Sequence, residues 1–180
     1  MSLKAAVVVS SLKTPSTFLS IVHNLYAKES KCDFLKTEIQ YLGHVISSQG
    51  VHMDMFKVDA IVHWPYPTNL EELQIFLGLT SFYRKYVRDY ATIDVPMTDQ
   101  LKGKGKTFTW GEEQQRSFEK LKVALASAPN LAIMDPTKPF VVETDASDRA
   151  IGAVWLQDGR PIAFESKKSD KAQQNYYVYE

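Results

Sequence analysis

The chain has 180 residues, 44% of them hydrophobic, with 21 Lys+Arg balanced by 21 Asp+Glu. That apolar content suits one ordinary domain or two small ones and excludes wholesale disorder. The charge balance excludes a chain that is basic throughout, so any nucleic-acid surface must be a local patch. Cys32 is the single cysteine, which excludes an intrachain disulfide and a cysteine-based metal centre. The first apolar run, Ala5 to Val9, is too short for a bilayer span, and no small-residue cleavage site follows it. An intracellular protein of the cytoplasm or nucleus, with no membrane partner, is the expectation.

Residues 1–21 show no periodicity and stay unassigned. Between Ser30 and Val51, Ile39, Tyr41 and Val45 are spaced as in strands, with Gly43 between them. The stretch reads as a strand pair, or a strand and turn, that leaves through Ser-Ser-Gln-Gly. MFKVDAIVHW, Met55 to Trp64, predicts a short helix that carries Phe56, Ile61 and Val62 and ends by Trp64, before Pro65. TNLEELQIFLGLTSFYRKYV predicts a long helix. Thr68 and Glu71 are read as its capping box, and Leu70, Leu73, Phe76, Leu77, Tyr83 and Val87 as its apolar stripe. Gly78 lies inside it at a cost of about 1 kcal/mol relative to alanine, as glycine does where another backbone comes close. Arg84, Lys85 and Arg88 are placed at its end. The basic loop LKGKGK follows, with Lys102, Lys104 and Lys106. A second helix carries Phe118, Leu121 and Leu125 on one stripe and stops before Pro129. Trp64 and Trp110 are read as core anchors.

The C-terminal part predicts three antiparallel strands. Phe140 to Val142 open the first, and Ile151 to Leu156 form the second. Asp158-Gly159 makes the turn into a third, from Pro161 to Phe164. Asp145 is the odd residue, because aspartate is depleted in strands. The histidines His23, His52 and His63 have no zinc-site spacing. The expected class is α+β, a helical segment followed by a three-strand antiparallel meander.

Several motifs then resemble one family in its own order. YLGHVIS, Tyr41 to Ser47, resembles the primer-grip hairpin of reverse transcriptases from gypsy-class LTR retrotransposons. IVHWPYPTNLEELQIFLGLTSFYRKYVRDYATIDVPMTDQL resembles their thumb. FTWGEEQQRSFEKLKVALASAPNLAIMDPTKPF resembles the segment joining thumb to ribonuclease H. TDASDRAIGAVWLQDGRPIAFESKKSDKAQQNY resembles the start of ribonuclease H. The resemblance runs from about Val22 to Glu180. It implies a palm end over 22–52, thumb and connecting helices over 53–128, and a truncated RNase H-like domain over 129–180, whose three-strand meander would be part of an incomplete mixed sheet.

What the resemblance implies for chemistry is limited. The family's ribonuclease H cuts the RNA strand of an RNA–DNA hybrid with two Mg2+ ions held by four acids. Asp145 stands at the first of these, as a vestigial catalytic residue and metal ligand. Asn175-Tyr176 and Glu180 fit the approach to the second acid, which would come two residues after Glu180. No Asp-Asp pair is present for the polymerase turn. The chain alone is therefore expected to bind no Mg2+ stably and to catalyse neither reaction, and whether it is an enzyme stays open. Tyr41, Gly43, His44, Arg84, Lys85, Arg88, Lys102, Lys104 and Lys106 are the implied contacts to a hybrid or duplex. A non-catalytic binding module and an unselected remnant remain as alternatives. The open sheet would also invite self-association.

Overall fold

A computed structural model describes residues 36–102, 107–147 and 150–169. The chain divides into two compact units, Met1–Asp54 and Met55–Glu180.

In the first unit, strands β1 (Glu38–Tyr41), β2 (His44–Ser47) and β3 (Gly50–Met53) form an antiparallel meander. Leu42 and Gly43 make the first turn, both at positive φ (48° and 77°). That twist matches the flanking strands of a two-residue hairpin. The segment Ser-Ser-Gln-Gly is not an exit. Ser47 pairs with Gly50, so these residues close a second hairpin and add β3, which the sequence reading lacked.

The second unit begins with α1 (Met55–Val62). Val58 and Ile61 are buried, whereas Phe56 is 81% exposed and Val62 37%, so of the three apolar residues read on this helix only Ile61 faces the core. On an eight-residue helix, three apolar positions do not fix the buried side. Helix α2 spans Leu70–Ser81. Its N-cap is Asn69, whose Oδ1 accepts from the Glu72 N–H at 2.9 Å. The Glu72 carboxylate reaches back to the Thr68 N–H and hydroxyl at 2.7 and 3.0 Å. The Thr68/Glu71 capping box is thus corrected by one residue. Thr-x-x-Glu and Asn-x-x-Glu overlap here, and asparagine caps at least as well as threonine.

The long helix also ends earlier than expected. After Ser81 the chain makes a 3-10 turn over Arg84–Tyr86, and Asp89 takes a left-handed conformation (φ 55°, ψ 32°). Helix α3 (Tyr90–Thr98), absent from the sequence reading, then starts and carries Pro96. Arg84, Lys85 and Arg88 therefore lie on a turn and a connector, not at a helix end. The break is masked in sequence because Tyr83, Tyr86, Val87 and Tyr90 are all buried at spacings a continuous helix would also use. Thr80 Oγ1 lies 2.9 Å from the Tyr90 hydroxyl and ties α2 to α3 within the core.

Helix α4 (Glu112–Ala126) buries Phe118, Leu121 and Leu125, as its stripe predicts. Phe118 lies at the centre of a ring cluster. Its centroid is 4.4 Å from Phe76, 5.2 Å from Tyr66 and 5.7 Å from Trp110. Trp64 joins through Phe76 at 6.4 Å, so both tryptophans anchor this core as read.

Strands β4 (Val141–Ala146), β5 (Ala150–Gln157) and β6 (Arg160–Lys168) form the expected antiparallel meander. Asp158 and Gly159 take positive φ (51° and 74°) at its turn. Buried Gln157 reaches back across the sheet entrance. It accepts from Asp135 N–H at 2.8 Å and donates to the Asp135 and Lys138 carbonyls. Ala150, Gly152, Val154 and Ser166 are buried on the side toward α3. On the other side Phe140, Val142, Ile151 and Trp155 are exposed, with Phe140 stacked on Trp155 at 5.2 Å. Every residue of β4 is exposed at the sheet edge, so the open face and open edge expected from sequence are present among the described residues.

Candidate functional site

Asp145 is the fifth residue of β4 and lies opposite Gly152 in the register. Gly152 has a visible reason to be glycine. A Cβ there would come within 2.5 Å of Asp89 Oδ1, so the carboxylate occupies the space of a side chain. The left-handed turn at Asp89 thereby brings the thumb-like segment against the strand beside Asp145. Between them lies a cleft of about 250 Å3, lined by Arg88, Asp89, Thr92, Lys120, Asp145 and Ser147. Glu143, two residues along the same strand, lines its continuation.

A pair of divalent ions does not fit this donor set. Two Mg2+ ions placed close together need several carboxylates to offset their repulsion. Here Asp89 and Asp145 share their cleft with Arg88 and Lys120, so the cations balance the acids. Among the described residues no group of three or more His, Cys, Asp or Glu is placed to hold a metal.

The basic residues separate into distinct environments. Arg84 Nη2 donates to Glu165 Oε1 at 2.5 Å and to the Ser166 carbonyl, while its buried Nε has no partner among the described residues. It ties the 3-10 turn to β6. Lys85 lies 5.3 Å from the Tyr86 ring centroid, and burial lowers its pKa. Arg88 is exposed at the cleft. Lys102 pairs with Asp99 at 2.8 Å, and that hydrogen bond raises its pKa. Lys104 and Lys106 lie outside the described residues. In the first unit, Tyr41, Gly43 and His44 gather at one hairpin turn. Tyr41 and His44 pair across it, and Tyr41 is exposed.

The outward face of α2 was missed as a site. Gln74, Ile75, Gly78 and Phe82 share it, one and two turns apart. Ile75 is 53% and Phe82 52% exposed, and a Cβ at Gly78 would meet nothing within 4 Å. Phe82 is braced edge-on against buried Tyr83, with centroids 4.9 Å apart. The available signal was a helix-interior glycine flanked by two apolar residues that fall off the buried stripe.

Comparison with known proteins shows what the chain is similar to. Residues 110–180 match the model of the RNase H-like domain found in reverse transcriptase. The chain is related to retrotransposon Pol polyproteins. It is 43% identical over 157 residues to the retrovirus-related Pol polyprotein from transposon 297 of Drosophila melanogaster, covering 87% of this chain and 15% of that protein. The corresponding protein from transposon gypsy of the same organism is 37% identical over 168 residues, covering 87% and 16%. The chain thus spans about a sixth of these Pol relatives. Among solved structures, the foamy viral protease-reverse transcriptase in complex with RNA/DNA hybrid superposes with a TM-score of 0.75 at 27% identity, covering 93% of this chain and 24% of that one. A form in complex with double-stranded DNA gives 0.72 at 29% identity, covering 79% and 26%. The α+β architecture and the gypsy-type resemblance read from sequence are both upheld. No helix among the described residues is long and apolar enough to cross a membrane.

Proposed function

We propose that this stretch of Pol grips a nucleic-acid duplex, an RNA–DNA hybrid or double-stranded DNA, through the outward face of α2 and the cations that follow it. The supporting observation is Gly78. A glycine in a helix interior costs about 1 kcal/mol, and nothing within the described chain uses the space it opens. The approaching backbone is therefore a partner's. Phe82 and Ile75 offer apolar contact to sugar edges beside that gap. Gln74 offers donor and acceptor groups suited to the minor groove, whose pattern is largely degenerate between sequences. Arg88 and Lys85 are placed to neutralise phosphates, with Lys102, Lys104 and Lys106 further along. The turn of Tyr41, Gly43 and His44 supplies a separate contact from the first unit.

Solved relatives in complex with hybrid and with double-stranded DNA support the partner class. RNA-directed DNA synthesis and hybrid cleavage belong, on this reading, to the longer Pol protein. Asp145 then marks the first acid of its RNase H-like centre, which needs further carboxylates and Mg2+ to work.

Electrostatic contact to phosphates makes affinity fall as salt rises. A fluorescence-anisotropy titration of a labelled hybrid, repeated at several salt concentrations, tests this. Arg88→Ala and Lys85→Ala are expected to weaken binding and flatten its salt dependence. Binding that is absent at low salt from a folded sample, or insensitive to both substitutions, would remove the reading.

A further inference from the structure

Arg88 and Lys120 line the cleft beside Asp145 from two different elements, the connector before α3 and helix α4. Both are exposed. Neither makes a hydrogen bond or an ion pair among the described residues, although Asp89 and Asp145 line the same cleft. Other cations of the thumb-like segment and of β6 are taken. Arg84 holds Glu165 at 2.5 Å, and Lys102 and Lys168 hold Asp99 at 2.8 and 2.6 Å. The Thr92 hydroxyl also faces no partner among the described residues. The Ser147 hydroxyl, by contrast, is spent at the rim. It donates to the Ala150 carbonyl at 3.0 Å and accepts from the Ala150 N–H at 3.2 Å.

Charge is graded along this groove. The cleft continues along β4 into a second lobe of about 260 Å3, lined by Arg88, Asp89, Glu143 and Asp145. One cation faces three carboxylates there, whereas beside Lys120 two cations face two. Of those two carboxylates, Asp89 is turned onto Gly152. An anion is repelled from the second lobe and held in the first.

We propose that Arg88 and Lys120 hold one phosphate of a nucleic-acid strand in the lobe beside Asp145, with the Thr92 hydroxyl as a further donor. The guanidinium of Arg88 offers a planar fork that matches two phosphate oxygens, and Lys120 adds a point charge from the opposite wall. Both are positioning residues. They set a strand's backbone next to Asp145 and take no part in breaking a bond. The inference rests on the reading that this stretch of Pol grips nucleic acid, and it adds a contact outside α2. Arg88 serves both readings, whereas Lys120 belongs to this one alone.

The test has two arms, both on the whole chain in buffer without divalent cations. In the first, a 5′-phosphorylated dinucleotide is titrated in while NMR follows the amides of Ser147 and Gly152. Those signals are expected to shift, to stay fixed in Lys120→Ala, and to shift again in Lys120→Arg, which keeps the charge. Lys120 is exposed on α4, so these substitutions leave the core intact. In the second arm, a labelled RNA–DNA hybrid is bound at several salt concentrations. Lys120→Ala is expected to reduce the slope of log affinity against log salt by about one, the loss of a single phosphate contact. Signals that stay fixed in the unsubstituted chain, or that shift equally in Lys120→Ala, would overturn the proposal. So would a hybrid affinity whose salt slope is unchanged by Lys120→Ala. If the hybrid does not bind at low salt, the grip by α2 falls, and the dinucleotide arm still decides the cleft.

Discussion

The Asp89 carboxylate fills the place of a side chain on Gly152, 2.5 Å from where a Cβ would stand. Two segments distant in sequence meet at that point, the thumb-like turn and the strand opposite Asp145. Gly152→Ala should therefore push the Asp89 carboxylate aside, and because the clash falls on the far end of a side chain and not on backbone the loss should stay below about 1 kcal/mol, the low end of overpacking costs. Thermal unfolding checks it. Asp89→Gly in the same chain should restore most of the loss, since glycine removes the carboxylate and suits the left-handed φ of 55°. Failure of that second substitution to rescue would mean that Gly152 is required for another reason.

The start of α2 offers a sharper contrast. Asn69→Ala removes the side chain that accepts from Glu72 N–H and should cost about 1 kcal/mol. Glu71→Ala should change urea-denaturation stability by less than about 0.5 kcal/mol, as an ordinary surface substitution does. Equal effects would return the cap to Thr68 and Glu71.

Asp94 sets an expected pH dependence of stability. Its folded pKa is raised to about 6 by burial, against 3.8 when unfolded. Above about pH 6 the folded state carries the full cost of the buried charge. That cost is relieved as pH falls from about 6 toward 3.8, where both states are protonated. Discounted for partial exposure, the change is on the order of 1 kcal/mol. Asp94→Asn should stabilise the chain at pH 7.5 more than at pH 5 in paired urea denaturations. A gain independent of pH would refute the titration. Asp99 works in the opposite sense. Burial pushes its pKa up, but hydrogen bonds from Lys102 and Lys168 outweigh that and hold it low. Its contribution is present at neutral pH and is lost in strong acid.

The tight turn at Asp158-Gly159 sets the β5–β6 register. Gly159→Val forces a β-branched residue to φ 74° and should cost about 1–2 kcal/mol. Loss of the β5–β6 amide protection pattern before global unfolding is the readout.

The parts of the fold legible in sequence were those written locally. Asp158-Gly159 between apolar runs gave the meander, and Phe118, Leu121 and Leu125 gave α4. The break between α2 and α3 was not legible, because Tyr83, Tyr86 and Tyr90 keep a helical spacing across a turn that reverses nothing in the pattern. Only the left-handed Asp89 marks it, and aspartate is no specific signal for that conformation. The partners of Arg84 were out of reach for another reason. Glu165 lies 81 residues away, so its pairing is a product of tertiary packing alone. Gly78 was noticed as unusual in a helix. Its meaning needed the finding that its neighbourhood is open, which a sequence does not carry.

The most direct measurement is the affinity of the Gly78→Leu chain for a labelled RNA–DNA hybrid at low salt, beside the unsubstituted chain. Leucine is a strong helix former and meets open space at this position, so the helix should gain up to about 1 kcal/mol of stability. The same side chain would fill the gap between Gln74 and Phe82 that a duplex backbone is proposed to enter. A more stable protein that binds the hybrid at least about tenfold more weakly, roughly 1.4 kcal/mol, is the outcome expected from a grip by α2. A more stable protein that binds unchanged would contradict it.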